Sequence, residues 1–258
     1  MERTRADRSV GVARMLSKLG YCSRTQAAEL VRSGRVSLNG KICYDPEIST
    51  HMADQIAVGG IVVSQAKPIY LAMNKQRGVV TTASDEKGRE TVYDLLDPSL
   101  PGVAPVGRLD KASEGLLLLT NDSGWSARIT DPETHLAKTY HVQIGAVADD
   151  VLLGSMLIGV EDAGDFLRVK SASRLREGAR NSWIEVVLEE GKNRHIRRTL
   201  DRLGVETLRL VRVAIGPLAL GEIAKGSYRA LSSAEMNRME IAMRKFKSSA
   251  SSDEAPRP

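Results

Sequence analysis

Seven short runs of apolar and β-branched residues between positions 69 and 213 constrain the fold most strongly. Turn residues bound each run, and this pattern is typical of β-strands. The predicted strands cover residues 69–74, 103–106, 116–120, 139–144, 166–169, 183–188 and 208–213. The predicted helices cover residues 91–96, 123–130, 149–156, 193–203 and 233–246. Because strands outnumber helices and do not alternate strictly with them, we predict an α+β fold with a mixed, mainly antiparallel sheet.

The N-terminal segment has a different pattern. Apolar residues recur at helical spacing over residues 12–19, and Ser23 and Gln26 have the capping-box spacing that begins a second helix. Asn39-Gly40 lies between alternating apolar residues, which is typical of a hairpin because both residues tolerate a positive φ. We therefore predict a small helix–helix–hairpin module. The predicted segments are this module at 9–62, a linker at 63–68, a larger domain at 69–247 and a disordered tail at 248–258.

Positive charge is concentrated near the N-terminus. The chain carries a formal net charge of +5, whereas residues 1–41 alone contain nine basic and three acidic side chains. A local excess of this kind attracts polyanions, most commonly phosphate backbones, although an ordinary solvated surface would have the same composition. A membrane surface fits less well, because the helices are not rich in bulky aromatic anchors.

Several other classes of protein and site lack support in the sequence. No apolar stretch approaches the ~20 residues that span a bilayer, and the charged first residues are not expected to form a secretory signal. Cys22 and Cys43 have no partners at metal spacing, so we predict a reducing, cytoplasmic location. The four histidines are scattered, and neither a nucleophile elbow nor a Gly-rich phosphate loop occurs.

The segment from Gly107 to Gly115 is the first that could carry chemistry. It reads Gly-Arg-Leu-Asp-Lys-Ala-Ser-Glu-Gly and leads into four leucines, which predicts Asp110 on a turn between two strands. Catalytic residues gather on loops that are anchored at both ends. On this segment alone, an ordinary turn in which Asp110 bonds its own backbone is the more frequent alternative.

Two further segments add an aromatic residue and a basic cluster. Tyr140 lies in a predicted strand, where it could stack on a base or simply be half-buried, and His141 points to the opposite face. Basic residues surround the start of the predicted helix at 193–203: Lys192, Arg194, Arg197, Arg198 and Arg202. Basic residues at a helix N-terminus oppose its dipole, which often marks function, although a solvated cationic helix is the alternative.

The N-terminal pattern resembles the small alpha-L RNA-binding module of ribosomal proteins and RNA-modifying enzymes. The matching stretch covers residues 12–58. It includes Gly-Tyr-Cys-Ser-Arg-Thr-Gln-Ala before the second helix and Gly-Arg-Val-Ser-Leu-Asn-Gly-Lys at the hairpin. The resemblance implies that the basic helical face contacts RNA phosphates. The candidate contacts are Arg14, Lys18, Arg24, Arg32 and Arg35.

The three segments of the larger domain resemble, in order and spacing, those of the RsuA/RluB-type pseudouridine synthases. The first runs from the Asp110 turn through four leucines to Asn121, and the second is Lys138-x-Tyr140. The third is Gly-Lys-Asn-Arg-x-Ile-Arg-Arg over residues 191–198. These enzymes also carry an alpha-L module, so the resemblance spans nearly the whole chain. The third segment is closer to the large-subunit rRNA branch than to the small-subunit branch.

The resemblance implies an isomerase that converts uridine in rRNA to pseudouridine without a metal or cofactor. It assigns Asp110 as the essential carboxylate, paired with Arg197, and leaves open whether Asp110 attacks C1′, adds to C6 or removes a sugar proton. It implies that Tyr140 stacks on the flipped uracil, Arg108 fills the vacated space and Ile196 forms an apolar wall. The remaining candidate RNA contacts are Lys192, Arg194 and Arg198.

Other interpretations remain open at this point. A non-catalytic rRNA-binding or ribosome-assembly protein would explain the basic module, and a small-subunit rRNA synthase would share the motifs. A carboxylate glycosidase would need a second acid, for which Glu114 is the nearest candidate and is expected to be solvated. The expected partner is a structured rRNA stem-loop, alone or in a pre-ribosomal particle, and the protein is expected to be a monomer that does not bind membranes.

Overall fold

A computed structural model describes residues 9–82 and 85–249 of the chain. The chain divides into two compact units. The first consists of Met1–Tyr70, Asp97–Pro105 and Leu119–Ala127. The second consists of Leu71–Leu96, Val106–Leu118 and Arg128–Pro258. Within the described ranges, no helix is long and apolar enough to cross a bilayer.

The first unit contains the predicted helix–helix–hairpin module. Its two N-terminal helices are α1 (Val12–Lys18) and α2 (Arg24–Arg32). Its short strands are β1 (Val10–Gly11), β2 (Val36–Leu38), β3 (Lys41–Cys43), β4 (Ser49–Thr50), β5 (Ile56–Val58) and β6 (Ile61–Val62). Four of them form an antiparallel sheet in the order β3–β2–β5–β6, and β1 pairs with β4.

Local sequence determines both landmarks of this module. The Gln26 backbone N–H donates to Ser23 Oγ at 3.2 Å, and the Ser23 N–H donates to Gln26 Oε1 at 3.0 Å, which completes the predicted capping box. Asn39 (φ 50°) and Gly40 (φ 81°) both adopt the left-handed conformation of a tight hairpin turn. The two helices and the hairpin enclose a small apolar core that includes Leu16.

Most residues of a nine-stranded sheet lie in the second unit. The strands of the larger part of the chain are β7 (Tyr70–Lys75), β8 (Ala104–Val106), β9 (Glu114–Thr120), β10 (Lys138–Ile144), β11 (Val160–Asp162), β12 (Asp165–Leu167), β13 (Ser171–Glu177), β14 (Ser182–Leu188), β15 (Thr207–Ile215), β16 (Leu218–Ala219) and β17 (Tyr228–Ala230). The sheet order is β13–β14–β10–β15–β9–β7–β17, with β16 beside β15 and β8 beside β9. The β15–β9 pair is parallel, whereas β10 pairs antiparallel with both β14 and β15. The mixed, mainly antiparallel sheet confirms the predicted α+β class.

Helices and a separate hairpin accompany this sheet. The helices are α3 (Ser123–Thr130), α4 (Asp150–Ile158), α5 (His195–Arg202) and α6 (Ser233–Ser249). Strands β11 and β12 form a two-stranded hairpin outside the main sheet. The core on one side of the sheet contains Val142, Ile184 and Leu200, all fully buried. The four leucines after the Asp110 turn are also fully buried, as the sequence predicted.

The structure differs from the predicted elements at several positions. Residues 91–96 form turns rather than a helix, because the Asp94 carboxylate accepts from both the backbone N–H and the hydroxyl of Thr91. Of the predicted strand at 166–169, only the first two residues form a strand, as part of β12 in the small β11–β12 hairpin. Strand β13, which the sequence analysis missed, is polar and exposed along most of its length, so it lacks the apolar alternation that marks a strand.

The predicted linker makes specific contacts within the first unit. The Ala66 N–H donates to the Leu19 carbonyl at 2.9 Å. The Asn121 side chain donates to the Lys67 carbonyl and accepts from the Ile69 N–H, at 3.0 and 2.8 Å. Whether these residues form a flexible joint stays a prediction. At the other end, α6 continues through the first two residues of the predicted tail, and the rest of that tail lies outside the described residues.

Candidate active site

A pocket of about 690 Å³ lies entirely within the second unit. The Asp110 turn, strand β10, the 189–194 loop, the first turn of α5 and strand β15 contribute its walls. It brings together seven of the side chains that the sequence analysis selected: Arg108, Asp110, Tyr140, Lys192, Arg194, Ile196 and Arg197. Their segments are far apart in sequence, so the fold assembles the three motifs at one place.

Backbone and hydroxyl contacts fix the turn that carries Asp110. Gly107 adopts φ 71°, a conformation that favours glycine. The Thr81 hydroxyl donates to the Leu109 carbonyl at 2.8 Å, and the Ser113 N–H donates to the Asp110 carbonyl at 2.9 Å. Leu109 is buried next to Asp110, so the carboxylate-bearing residue is anchored on both sides.

A buried lysine lies against the same turn. The Lys75 Nζ donates to the carbonyls of Gln76 and Asp110 at 3.1 Å and to that of Ser113 at 2.9 Å. Burial lowers the pKa of Lys75 to about 8, although attraction to Asp110 and Glu114 opposes the shift. Sequence reasoning missed this residue. Its only signal is a lysine that ends an otherwise mostly apolar strand.

Arg197 contacts the turn differently from the predicted ion pair. Its Nη2 donates to the Ala112 carbonyl at 3.1 Å and its Nη1 to the Thr207 carbonyl at 3.4 Å. Among the described residues, no salt bridge joins Arg197 to Asp110. Burial lowers the pKa of Arg197, Arg194 lowers it further, and attraction to Asp110 opposes both effects. Arg197 therefore holds the backbone beside Asp110 and acts on its carboxylate at longer range.

Tyr140 and Ile196 provide part of the apolar lining of the pocket. Tyr140 is half-buried and packs against the core cluster, and Ile196 is buried at the start of α5. His141 lies on the other face of the sheet, as predicted, where its Nε2 is 3.4 Å from a carboxylate oxygen of Glu185. His141 is therefore not positioned as a base for Tyr140.

A second residue that sequence reasoning missed is Arg212, which is buried in strand β15. Its Nε donates to the Leu116 carbonyl at 2.7 Å and its Nη1 to the Arg108 carbonyl at 3.4 Å. These two carbonyls lie on opposite sides of the Asp110 turn in sequence. Arg212 also lines the pocket, and its only signal in the sequence is a charge within an apolar strand.

The basic loop before α5 is only partly free to bind RNA. The Lys192 Nζ donates to the Phe166 carbonyl at 2.7 Å and lies 3.4 Å from a Glu190 oxygen. Arg194 is exposed and adopts φ 49° immediately before α5. Its left-handed backbone turns the loop into the helix and leaves its side chain at the pocket.

Arg198 does not line the pocket, and its contact with RNA stays a prediction. Its Nε donates to an Asp162 carboxylate oxygen at 2.5 Å, and its Nη1 donates to Asp165 at 2.8 Å. Its other Nη donates to the Asp162 carbonyl. Arg198 therefore attaches the β11–β12 hairpin to α5.

Glu114 is buried rather than solvated, contrary to the expectation from sequence. Arg209 donates to both of its carboxylate oxygens, at 2.7 and 3.0 Å, and Lys225 lies 3.0 Å away. Two other acids, Glu189 and Glu190, line the pocket, and both pair with basic side chains. Within the described residues, Asp110 therefore has no unpaired second acid of the kind a glycosidase would need.

The N-terminal candidate contacts lie on the surface of the first unit. Arg14, Lys18, Arg24, Arg32 and Arg35 are all exposed. Arg14 and Lys18 are four residues apart on α1 and so project from the same side of that helix. Arg24 is 3.7 Å from Glu47, a weak exposed pair that leaves its guanidinium accessible. Over the described part of the chain, no cluster of metal-ligating side chains occurs.

Two family models match the chain in the arrangement that the motifs predicted. The model described as RNA pseudouridylate synthase matches residues 69–202, which include the Asp110 turn and helix α5. The model described as S4 domain matches residues 11–49, within the N-terminal module.

Individual proteins extend the match over most of the chain. An uncharacterized RNA pseudouridine synthase of Rickettsia felis is 36% identical over 219 residues, which are 84% of this chain and 95% of the relative. The ribosomal large subunit pseudouridine synthase B of Bacillus subtilis is 32% identical over 228 residues, 88% of this chain and 93% of the relative. A crystal structure of a pseudouridylate synthase superposes with a TM-score of 0.64 at 27% identity, and covers 90% of this chain and 100% of that one.

Proposed function

This chain belongs to the RNA pseudouridine synthases, which are isomerases, and we propose that it modifies one or more uridines of large-subunit rRNA with Asp110 as the essential carboxylate. The Bacillus subtilis relative, whose name specifies the large ribosomal subunit, supports the choice of rRNA. The form of the 191–198 motif supports the same choice. The single observation that carries the catalytic assignment is the pocket that combines Asp110 with Tyr140 and Arg197.

The chemistry of the reaction agrees with this set of groups. Pseudouridine formation breaks the N-glycosidic bond, turns the uracil and forms a bond from its C5 to C1′, so the net change is an isomerisation. The sugar becomes electron-poor as the base departs, and a fixed carboxylate stabilises that state, as in glycoside hydrolysis. In this proposal Asp110 supplies that charge, and Lys75 and Arg197 hold its turn by their backbone contacts.

The other pocket residues have proposed roles in holding the flipped nucleotide. Tyr140 stacks on the uracil, and Ile196 forms the apolar wall beside it. Arg108 is exposed at the pocket and is proposed to occupy the space that the base leaves in the RNA. Arg194 and Lys192 are proposed to contact phosphates, although Lys192 has to compete with its bond to Phe166.

We also propose a division of labour between the predicted segments. Residues 9–62 bind rRNA through the five exposed bases described above, and residues 69–247 carry out the isomerisation. Phosphate contacts provide affinity and orientation without reading the sequence, so the target uridine is selected by RNA shape and by the pocket. A monomeric state, a cytoplasmic location and action on a pre-ribosomal particle stay predictions.

A pseudouridine map of rRNA tests this function directly. We expect that loss of the gene removes pseudouridine from one or a few positions of large-subunit rRNA at single-nucleotide resolution. The purified protein should restore those positions on a transcript of the same region. Loss of signal only in small-subunit rRNA would contradict the proposed branch, and unchanged maps of both subunits together with no product on either transcript would contradict the rRNA substrate.

A further inference from the structure

Two cationic side chains lie beside Tyr140 on the pocket side of the sheet. Arg212 is the cross-strand partner of Tyr140 in the β10–β15 ladder. Lys138 precedes Tyr140 by two residues on the same strand, so its side chain projects to the same face. All three line the pocket that contains Asp110. Tyr140 therefore has one cation along its own strand and another across from it.

No acid neutralises either cation at close range. In the described part of the chain, no carboxylate oxygen lies within 4 Å of Lys138 or Arg212. Arg212 is only 6% exposed, and its buried Nη2 has no hydrogen-bond acceptor. Arg209, three residues earlier on the opposite face, is fully paired with Glu114. On β15, the arginine that faces the pocket therefore lacks a carboxylate partner among the described residues, whereas the arginine on the opposite face has one.

Electrostatics makes these two neighbouring cations unfavourable on their own. Burial lowers the pKa of Lys138, repulsion from Arg212 lowers it further, and Glu189 only partly opposes these effects. Desolvated charges without partners destabilise a fold. Such groups in a pocket are a common feature of sites where an anion binds or develops during a reaction.

The isomerisation produces an anion at this location. When the N1–C1′ bond breaks, its electron pair stays on the uracil and spreads from N1 onto O2 and O4. The electron deficiency stays at C1′, next to the Asp110 carboxylate. The C5–C1′ bond then forms with electrons of the uracil, C5 loses its proton and N1 gains one, so atoms and charge balance. The base carries a full negative charge only between the breaking of the N1–C1′ bond and the formation of the C5–C1′ bond.

We propose that Lys138 and Arg212 stabilise the uracil anion while it is detached from the sugar. This inference rests on the proposed function and assigns its leaving-group stabilisation to two new residues. Lys138 is the direct donor to the base. Arg212 acts as a positioning residue, because its bonds to the carbonyls of Arg108 and Leu116 fix it beside Tyr140 in the sheet, and its charge adds to the positive field there.

A phosphate is the alternative ligand for these cations. Arg108 and Arg194 are exposed around the same pocket and are better placed for a strongly hydrated phosphate group. Lys138 and Arg212 lie instead beside the ring on which the uracil is proposed to stack. A phosphate contact would contribute to affinity, whereas anion stabilisation would act mainly on the rate of the chemical step.

Lys138→Met tests the proposal because it removes the charge and keeps most of the length of the side chain. With enzyme in excess over an rRNA transcript, we expect the single-turnover rate to fall by about 100-fold, the usual effect of removing one preorganised donor to a developing anion. The dissociation constant of the transcript should stay close to that of the wild type. Lys87→Met, which removes an exposed lysine outside the pocket, is the matched control and should change neither quantity.

A 5-fluorouridine transcript distinguishes this role from a structural one. Fluorine withdraws electrons from the ring and makes uracil a better leaving group, so base departure needs less help from the protein. The single-turnover rate on this transcript is measured as the consumption of 5-fluorouridine. Lys138→Met should lower this rate by a factor several-fold smaller than the factor by which it lowers the rate on the uridine transcript. Arg212→Gln should show the same substrate dependence, and urea unfolding of both variants identifies any general loss of stability.

Several results would overturn the proposal. An unchanged single-turnover rate for Lys138→Met would do so, as would equal losses on the two transcripts for both variants. A weaker affinity with an unchanged saturating rate would indicate a phosphate contact instead. If the wild type forms no pseudouridine on any rRNA transcript, the proposed function itself fails, which is a separate and recognisable outcome.

Discussion

The ammonium group of Lys75 donates to the backbone carbonyl of Asp110 at 3.1 Å and to that of Ser113 at 2.9 Å. The pocket carboxylate is therefore held through its main chain, by a cation that is itself fully buried. This contact makes the geometry of the turn depend on a residue that does not line the pocket.

Lys75→Met should destabilise the protein and impair the reaction together. It removes the lysine donor from three carbonyls, of which that of Asp110 still accepts from the Ser113 N–H, and it leaves the buried Ser113 carbonyl without this partner. We expect a loss of about 3 kcal/mol in the free energy of unfolding. Urea unfolding measures that loss, and single-turnover assays on an rRNA transcript measure the rate. Lys87→Met, at an exposed position, provides the control, and a fully active, equally stable Lys75→Met protein would show that the turn does not need this cation.

The pH dependence of stability should report the same lysine. The pKa of Lys75 is about 8 in the folded protein and 10.5 as its ordinary value, so between these limits the unfolded chain binds more protons. Stability rises with pH wherever the unfolded state binds more protons. The free energy of unfolding of the wild type, relative to Lys75→Met, should therefore increase by ~2 kcal/mol from pH 8 to pH 9.5. A difference that stays constant or falls over this range would contradict the lowered pKa.

Arg198 and Arg194 should behave differently although both belong to the same basic motif. Arg198→Met breaks the contacts to Asp162 and Asp165 and should lower the free energy of unfolding by about 1–3 kcal/mol with little change in the salt dependence of RNA binding. Arg194→Met removes an exposed cation at the pocket and should reduce the salt slope by about one. Filter binding over a salt series, together with urea unfolding, separates the two effects. If Arg198→Met instead lowered the salt slope and Arg194→Met did not, the contact of Arg198 with the β11–β12 hairpin would have to open when RNA binds.

Glu114→Gln should be a stability variant rather than a neutral one. The substitution leaves Arg209 and Lys225 without their buried carboxylate, and we expect a loss of about 3 kcal/mol. Exposed Glu161 offers a matched control as Glu161→Gln, which should be close to neutral. Thermal and urea unfolding of the two variants check this prediction, and equal stabilities would contradict the structural role of Glu114.

The sequence was most informative where local pattern and tertiary environment agree. The capping box at Ser23 depends on neighbouring residues, and the Asn39-Gly40 pair favours the hairpin turn locally, which Asn39 reinforces through bonds to Asp54 and Gln55. Both features were predicted correctly. Helix α3 was also predicted with the bounds that the structure gives. Residues 91–96 failed because the carboxylate of Asp94 bonds the local backbone, an interaction that periodicity does not report.

The site could be predicted only in part for a similar reason. Motif spacing selected Asp110, Tyr140 and Arg197, which the fold brings to one pocket. It could not show that Arg197 bonds backbone carbonyls or that Arg198 pairs with a hairpin about 35 residues away in sequence. The roles of Lys75 and Arg212 were invisible for the same reason, because buried charges are recognised by their contacts and not by sequence pattern.

Asp110→Asn tests the central claim most directly, because it keeps the size of the side chain and removes only its charge. Tritium release from a C5-labelled rRNA transcript should fall by at least ~1000-fold, while filter binding shows unchanged affinity for the same transcript. The stability of the variant, measured in parallel, should stay close to that of the wild type. An Asp110→Asn protein that releases tritium at the wild-type rate would contradict the account.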